Sequence, residues 1–106
     1  MPTTAQTLDK AAILAILRAY PEELRGYGVR RLGLFGSFVR EEAGPESDID
    51  LLVEFETGQA TFRHFMELTF FLESLFDGQS IDLVTTRGLS PYIGPRILQE
   101  VEYALT

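Results

Sequence analysis

The sequence predicts an α+β fold of the mixed α/β kind, a small mixed sheet flanked by helices. Three observations carry this. Three short apolar runs, Val29–Phe35, Ile49–Phe55 and Ile81–Thr85, have strand length and lie between breakers. Segments with apolar residues at helical spacing precede, separate and follow them. Leu51, Leu52 and Val53 are continuously apolar, as expected where both faces of a sheet are covered. At 106 residues the chain is expected to form one domain, 1–106, with a single core.

The elements follow in order. Residues 1–6 are polar and expected to fray. A first helix is expected from about Leu8 to Tyr20, with Thr7 as N-cap and Asp9 at the positive end of the dipole. Ile13, Ile16, Leu17 and Tyr20 share one face. Pro21 ends this helix or opens one further turn through Leu24, and Gly26 and Gly28 mark a turn. In the first strand Leu32 and Leu34 fall on one face, Gly33 and Phe35 on the other. A short helix follows Gly36-Ser37 through Arg40–Glu42, and Ala43–Glu46 is a loop.

After the second strand and a turn at Thr57-Gly58, residues 60–77 form the strongest helical candidate. Its nine apolar residues, from Phe62 to Phe76, spread over about 260° of the helix, beyond the stripe a surface helix needs. Such a face is either buried on two sides within the domain or meets another chain. Asp77-Gly78 ends this helix, and the third strand comes next. Pro95 is expected to open a C-terminal helix carrying Ile97, Leu98, Val101 and Leu105. The order reads α-β-α-β-α-β-α.

Composition narrows the function. Net charge is −7, and an acidic chain without a Lys/Arg stripe is repelled by a nucleic-acid backbone. A protein acceptor is therefore favoured over extended nucleic acid. No apolar run reaches the roughly 20 residues of a membrane span, and no signal peptide is visible. The absence of cysteine excludes disulfides and thiolate metal sites and is compatible with the cytoplasm, the expected location.

The chemistry concentrates in Gly36–Asp50. Gly36 lets a backbone come close to a phosphate oxygen, and Ser37 offers a hydroxyl at the end of the first strand. Ten residues later stand Asp48 and Asp50, which the period of a strand puts on one face. Paired carboxylates are hard oxygen donors of the kind Mg²⁺ prefers. A phosphate cradle beside a carboxylate pair points to metal-assisted phosphoryl or nucleotidyl transfer. Asp82 interrupts the third strand, where an acid has no core role, and fits a third carboxylate from a neighbouring strand. Arg40 lies one turn beyond Ser37, within reach of a triphosphate; its plainer reading is an ion pair with Glu41, Glu42 or Glu46. Ser47 can hydrogen-bond locally and fix Asp48. His64 reads as a surface or boundary residue.

The stretch Gly36-Ser37, ten residues, Asp48-Ile49-Asp50 resembles the GS-x10-D-x-D signature of the DNA polymerase beta-like nucleotidyltransferase superfamily, and the short chain looks most like its minimal branch, the MNT proteins encoded beside HEPN-domain toxins. The resemblance implies the nucleotidyltransferase fold, with helices mainly on one side of the sheet. It implies Asp48, Asp50 and Asp82 as catalytic metal ligands for Mg²⁺, two ions in number, and Gly36, Ser37, Arg40 and Ser47 as nucleotide-binding residues. ATP is the implied donor. The implied activity is transfer of AMP to a hydroxyl of a HEPN-type toxin, the chain acting as antitoxin; the alternative is an antitoxin that neutralises its partner by contact alone. A homo-oligomer through helix 60–77 is a further possibility. One departure stands out: family members commonly carry Gly after the arginine, whereas this chain has Glu41. If that position needs a left-handed backbone, Glu costs about 1 kcal/mol or more and adds negative charge near the phosphates.

Overall fold

In the structure, a computed structural model describing residues 8–77 and 79–106, the elements are α1 (Lys10–Arg18), α2 (Pro21–Gly26), β1 (Val29–Phe35), β2 (Ile49–Phe55), α3 (Phe62–Leu75), β3 (Ile81–Thr85), α4 (Gly94–Glu100) and β4 (Glu102–Leu105). Single 3₁₀ turns follow β1 and β3, at Gly36–Phe38 and Thr86–Gly88. The strands form one mixed sheet in the order β3-β2-β1-β4. β1 runs antiparallel to β2 and β4, and β2 runs parallel to β3.

Alternation along the strands decides what each face carries. Leu32, Leu34, Ile49, Leu51 and Val53 turn to one face and are fully buried against Ile13, Leu17, Leu24, Leu68 and Leu72 of α1, α2 and α3. Burying each such side chain stabilises the fold by ~2 kcal/mol. The other face has a smaller apolar cluster, in which Phe35, Leu52 and Val84 meet Ile97 of α4 together with Leu89 and Val101. Three helices thus cover one face and one short helix the other. Asp50 and Asp82 alternate with the residues of the large core, so they share the thinly covered face.

The three expected strands have the expected bounds. Four expectations need correction. Thr7 lies outside the described residues, and Asp9 itself caps α1, its carboxylate accepting the Ala12 N–H at 2.8 Å. α1 stops at Arg18 rather than Tyr20, because the residue before a proline is pushed out of the helical region; Pro21 takes the first turn of α2. The segment after Gly36 forms only a 3₁₀ turn and reaches no helix through Arg40–Glu42. The C-terminal helix ends at Glu100, and the chain continues extended into β4.

That fourth strand was hidden by residues that satisfy two periods at once. Ile97, Leu98, Val101 and Leu105 fit a helix, but Val101, Tyr103 and Leu105 also alternate. β1 supplies an open edge, and Gly33 supplies room: a Cβ there would stand 3.0 Å from the Tyr103 ring and 3.2 Å from the Glu102 carbonyl oxygen. α3 begins at Phe62, two residues later than expected, where the Thr61 hydroxyl accepts the His64 N–H at 3.1 Å. Gly78, expected to end this helix, lies outside the described residues. His64 is half-buried, its ring against the Gln59 carbonyl, as a boundary residue should be. No described helix is long and apolar enough to cross a membrane.

Candidate active site

The end of β1 and the starts of β2 and β3 meet at one place. Parallel register pairs Asp50 directly with Asp82, and antiparallel register pairs it with Phe35, the residue before Gly36. Adjacent strands lie ~4.8 Å apart, so the two carboxylates are neighbours by construction. Asp48 stands just before β2, two residues from Asp50, and its charge acts on the Asp50 carboxyl. Asp48 and Asp82 are exposed, while Asp50 is half-buried between them.

The charge balance at this point is unfavourable. The Asp50 carboxyl is pushed up from 3.8 to about 6, first by burial, then by the negative charges of Asp82 and Asp48, with Arg40 acting in the opposite direction. Acids clustered in this way favour a cation beside them, and hard oxygen donors suit Mg²⁺. Among the described residues, however, no group of three or more His, Asp or Glu side chains is arranged to hold a metal ion on its own. The arrangement is an open carboxylate platform rather than a closed cage. Mg²⁺ ordinarily uses one or two carboxylates together with substrate phosphates, so the donor set fits a cation that arrives with a nucleotide.

Gly36 is the pivot of the platform. Its φ is +82°, and a Cβ there would collide with the Asp50 carboxylate. Only glycine provides both the left-handed turn and the close approach. Its carbonyl accepts the N–H groups of Val39 and Arg40, both at 3.1 Å, which coils the following turn. Its own N–H donates to the Glu100 carboxylate at 2.6 Å. Ser37 is half-buried in the same turn.

Arg40 engages Glu42 at 3.1 Å and Glu100 at 3.0 Å. The ion-pair reading of Arg40 therefore holds for Glu42, whereas Glu100, at the end of α4, had no sequence signal. Only the known positions of Arg40 and of the end of α4 together point to it. Ser47 makes the expected local bond: its hydroxyl accepts the Gly44 N–H at 2.9 Å, and its carbonyl accepts the Gln79 amide at 2.9 Å. These bonds fasten the loop before Asp48 to the entry of β3.

Glu41 has φ +60°, the left-handed conformation that a glycine adopts without cost. Its charge also acts on a neighbouring lysine. It lines a small surface cavity with Lys10 and Phe38, and raises the Lys10 pKa after the larger effect of Glu102. The departure at this position thus carries a backbone cost of about 1 kcal/mol.

A cavity of about 610 Å³ opens elsewhere, beside Val53, Phe55 and Thr85 at the opposite ends of the parallel strands. It takes in none of the clustered acids.

The acids, the glycine turn and the arginine suit one class of chemistry, displacement at a phosphorus carried by metal-bound phosphates. The family model for the nucleotidyltransferase domain matches residues 15–104. A protein adenylyltransferase, MntA, of Thermococcus cleftensis is 45% identical over 92 residues, covering 86% of this chain and 91% of its own. A solved structure of a candidate minimal nucleotidyltransferase superposes with TM-score 0.69 at 36% identity, over 92% of this chain and 98% of that one. The fold also recurs, with TM-score 0.59 and 21% identity over 86% of this chain and 71% of that one, in a complex of a tri-AMPylated Shewanella oneidensis HEPN toxin with an MNT antitoxin.

Proposed function

The chain belongs to the nucleotidyltransferase domain family, in its minimal protein-adenylyltransferase branch, and from that premise we propose that it moves AMP from ATP onto a hydroxyl of a HEPN-type toxin and so acts as an antitoxin. The observation that carries this reading is the direct register partnership of Asp50 with Asp82 on the face where Gly36 turns. Asp48, Asp50 and Asp82 are the residues to hold two Mg²⁺ ions, which when bound neutralise the triphosphate and lower the pKa of the attacking hydroxyl. Gly36 N–H and the Ser37 hydroxyl receive phosphate oxygens, and Arg40 binds the triphosphate. Ser47 holds the loop that aims Asp48. Asp82 lies on the edge strand, where an acceptor has access, and takes the proton of its hydroxyl. The acceptor oxygen bonds to the α-phosphorus, the α–β bridge breaks, and pyrophosphate leaves.

The partner is a protein because the exposed apolar surface asks for one. Phe62 is 80% exposed and Phe70 62%, eight residues apart on one side of α3. The solved complex of an antitoxin of this fold with a HEPN toxin supports a HEPN-type partner. The same helix is the surface on which a second copy would pair. A second reading, neutralisation by contact alone, is favoured by the strained Glu41 and by the carboxylate that fills the Gly36 turn.

Transfer of label separates the two. With α-phosphate-labelled ATP, Mg²⁺ and a co-expressed HEPN-type toxin, the toxin is expected to become labelled, and γ-phosphate label is expected to remain in solution. Asp50→Asn should reduce labelling by at least two orders of magnitude with the fold intact. Neutralisation without any labelling, undiminished in Asp50→Asn, would establish contact as the mechanism instead.

A further inference from the structure

Glu100 closes α4, and its side chain reaches back to the turn that follows β1, 64 residues away in sequence. Oε2 accepts the Gly36 N–H at 2.6 Å, and Arg40 donates to both carboxylate oxygens, at 3.0 and 3.1 Å. The side chain is 17% exposed, the least of any carboxylate in the described ion pairs. The other described ion pairs, Lys10–Glu102, Arg30–Glu54, Arg31–Glu54, Arg40–Glu42 and Arg63–Glu67, join side chain to side chain. Glu100 alone among them also takes a backbone N–H, the one exposed by a glycine with positive φ.

These donors are the ones assigned above to nucleotide phosphate, so the inference rests on the transferase reading of the turn. A carboxylate and a phosphate satisfy such donors in the same way, through two anionic oxygens and charge-assisted bonds. Gly36 has a single N–H, so the two anions cannot share it. We propose that Glu100 is an internal substitute for a phosphate group, which an incoming triphosphate must displace from Gly36 and Arg40, and that it thereby sets the affinity of the site for nucleotide. Displacement is local. The N–H of Val101 bonds to the Ile97 carbonyl at 2.9 Å and holds the helix end in place. The glutamate side chain, with its three torsions, swings without it. Once released, the carboxylate still lies near the phosphates and opposes them.

The test uses inorganic tripolyphosphate in EDTA, followed by calorimetry, so that neither metal nor turnover enters. Glu100→Gln keeps the shape and can still accept the Gly36 N–H, so α4 stays docked while the charge is lost. Roughly tenfold tighter tripolyphosphate binding is expected, the equivalent of about 1.4 kcal/mol, and Glu100→Ala should bind at least as tightly. Glu42→Gln, which relieves Arg40 on its exposed side only, should change binding less than twofold. Unchanged or weaker binding by Glu100→Gln would overturn the proposal and make Glu100 a support for the turn. Absence of tripolyphosphate binding in every variant would overturn it as well. Failure of the transferase reading shows separately, as neutralisation of the toxin by the parent chain without any AMP transfer.

Discussion

Asp50 is placed at a cost to the protein. Its carboxyl is raised to about 6 by burial and by two like charges, so between pH 3.8 and about 6 the folded state binds more protons than the unfolded one. Unfolding free energy contributed by this group therefore falls as pH rises through that window and stays lowered above it. Thermal unfolding in EDTA from pH 4 to 8 should show this decline, and Asp50→Asn should lessen it and melt higher than the parent above pH 6. Mg²⁺ added together with ATP should raise the melting temperature of the parent at pH 7.5 and not that of Asp50→Asn. The acid pair and the Gly36-Ser37 turn were legible at the residue scale because their spacing is local and their chemistry is unambiguous. Glu100 was not, because a lone glutamate near a helix end reads as a solvated charge until the fold carries it to Gly36. The left-handed backbone of Glu41 was legible only as a condition, and the action of its charge on Lys10 required the packing of α1.

Among the elements, the three strands with continuous or alternating apolar residues were legible to the residue, since strand length, breakers and burial agree there. β4 was not, because its apolar residues fit both periods and nothing local decides between them. What decides is the open edge of β1 and the missing side chain of Gly33. Gly33→Ala would bring a Cβ to 3.2 Å from the Glu102 carbonyl oxygen and 3.0 Å from the Tyr103 ring. The carbonyl is backbone and cannot yield without moving β4. A loss of about 1–3 kcal/mol is expected in urea unfolding, together with earlier hydrogen exchange of the β1–β4 amides. Retained stability would mean that β4 contributes little to the sheet. α3 divides its wide apolar face: Leu68 and Leu72 are fully buried, Phe71 stacks against Tyr20 and Tyr27, and Phe62 and Phe70 face outward. Part of the face is thus buried within the domain, as one reading expected, and two large aromatic residues of it are left exposed.

For the whole molecule, one face of the sheet carries the stability and the other the chemistry. Three helices seal the first face. The second, under the short α4, leaves Asp48 and Asp82 exposed for the proposed nucleotide and acceptor and keeps the Glu100 carboxylate in the Gly36 turn. Such an open site suits a donor that brings its own metal and an acceptor presented on another protein. The most direct measurement is calorimetric binding of ATP, with Mg²⁺ and with EDTA, to the parent chain beside Asp48→Asn and Asp50→Asn. Mg²⁺-dependent ATP binding by the parent, lost in both variants that remain folded, is the predicted result. ATP binding that is equally tight in EDTA, or unchanged in both variants, would contradict the account.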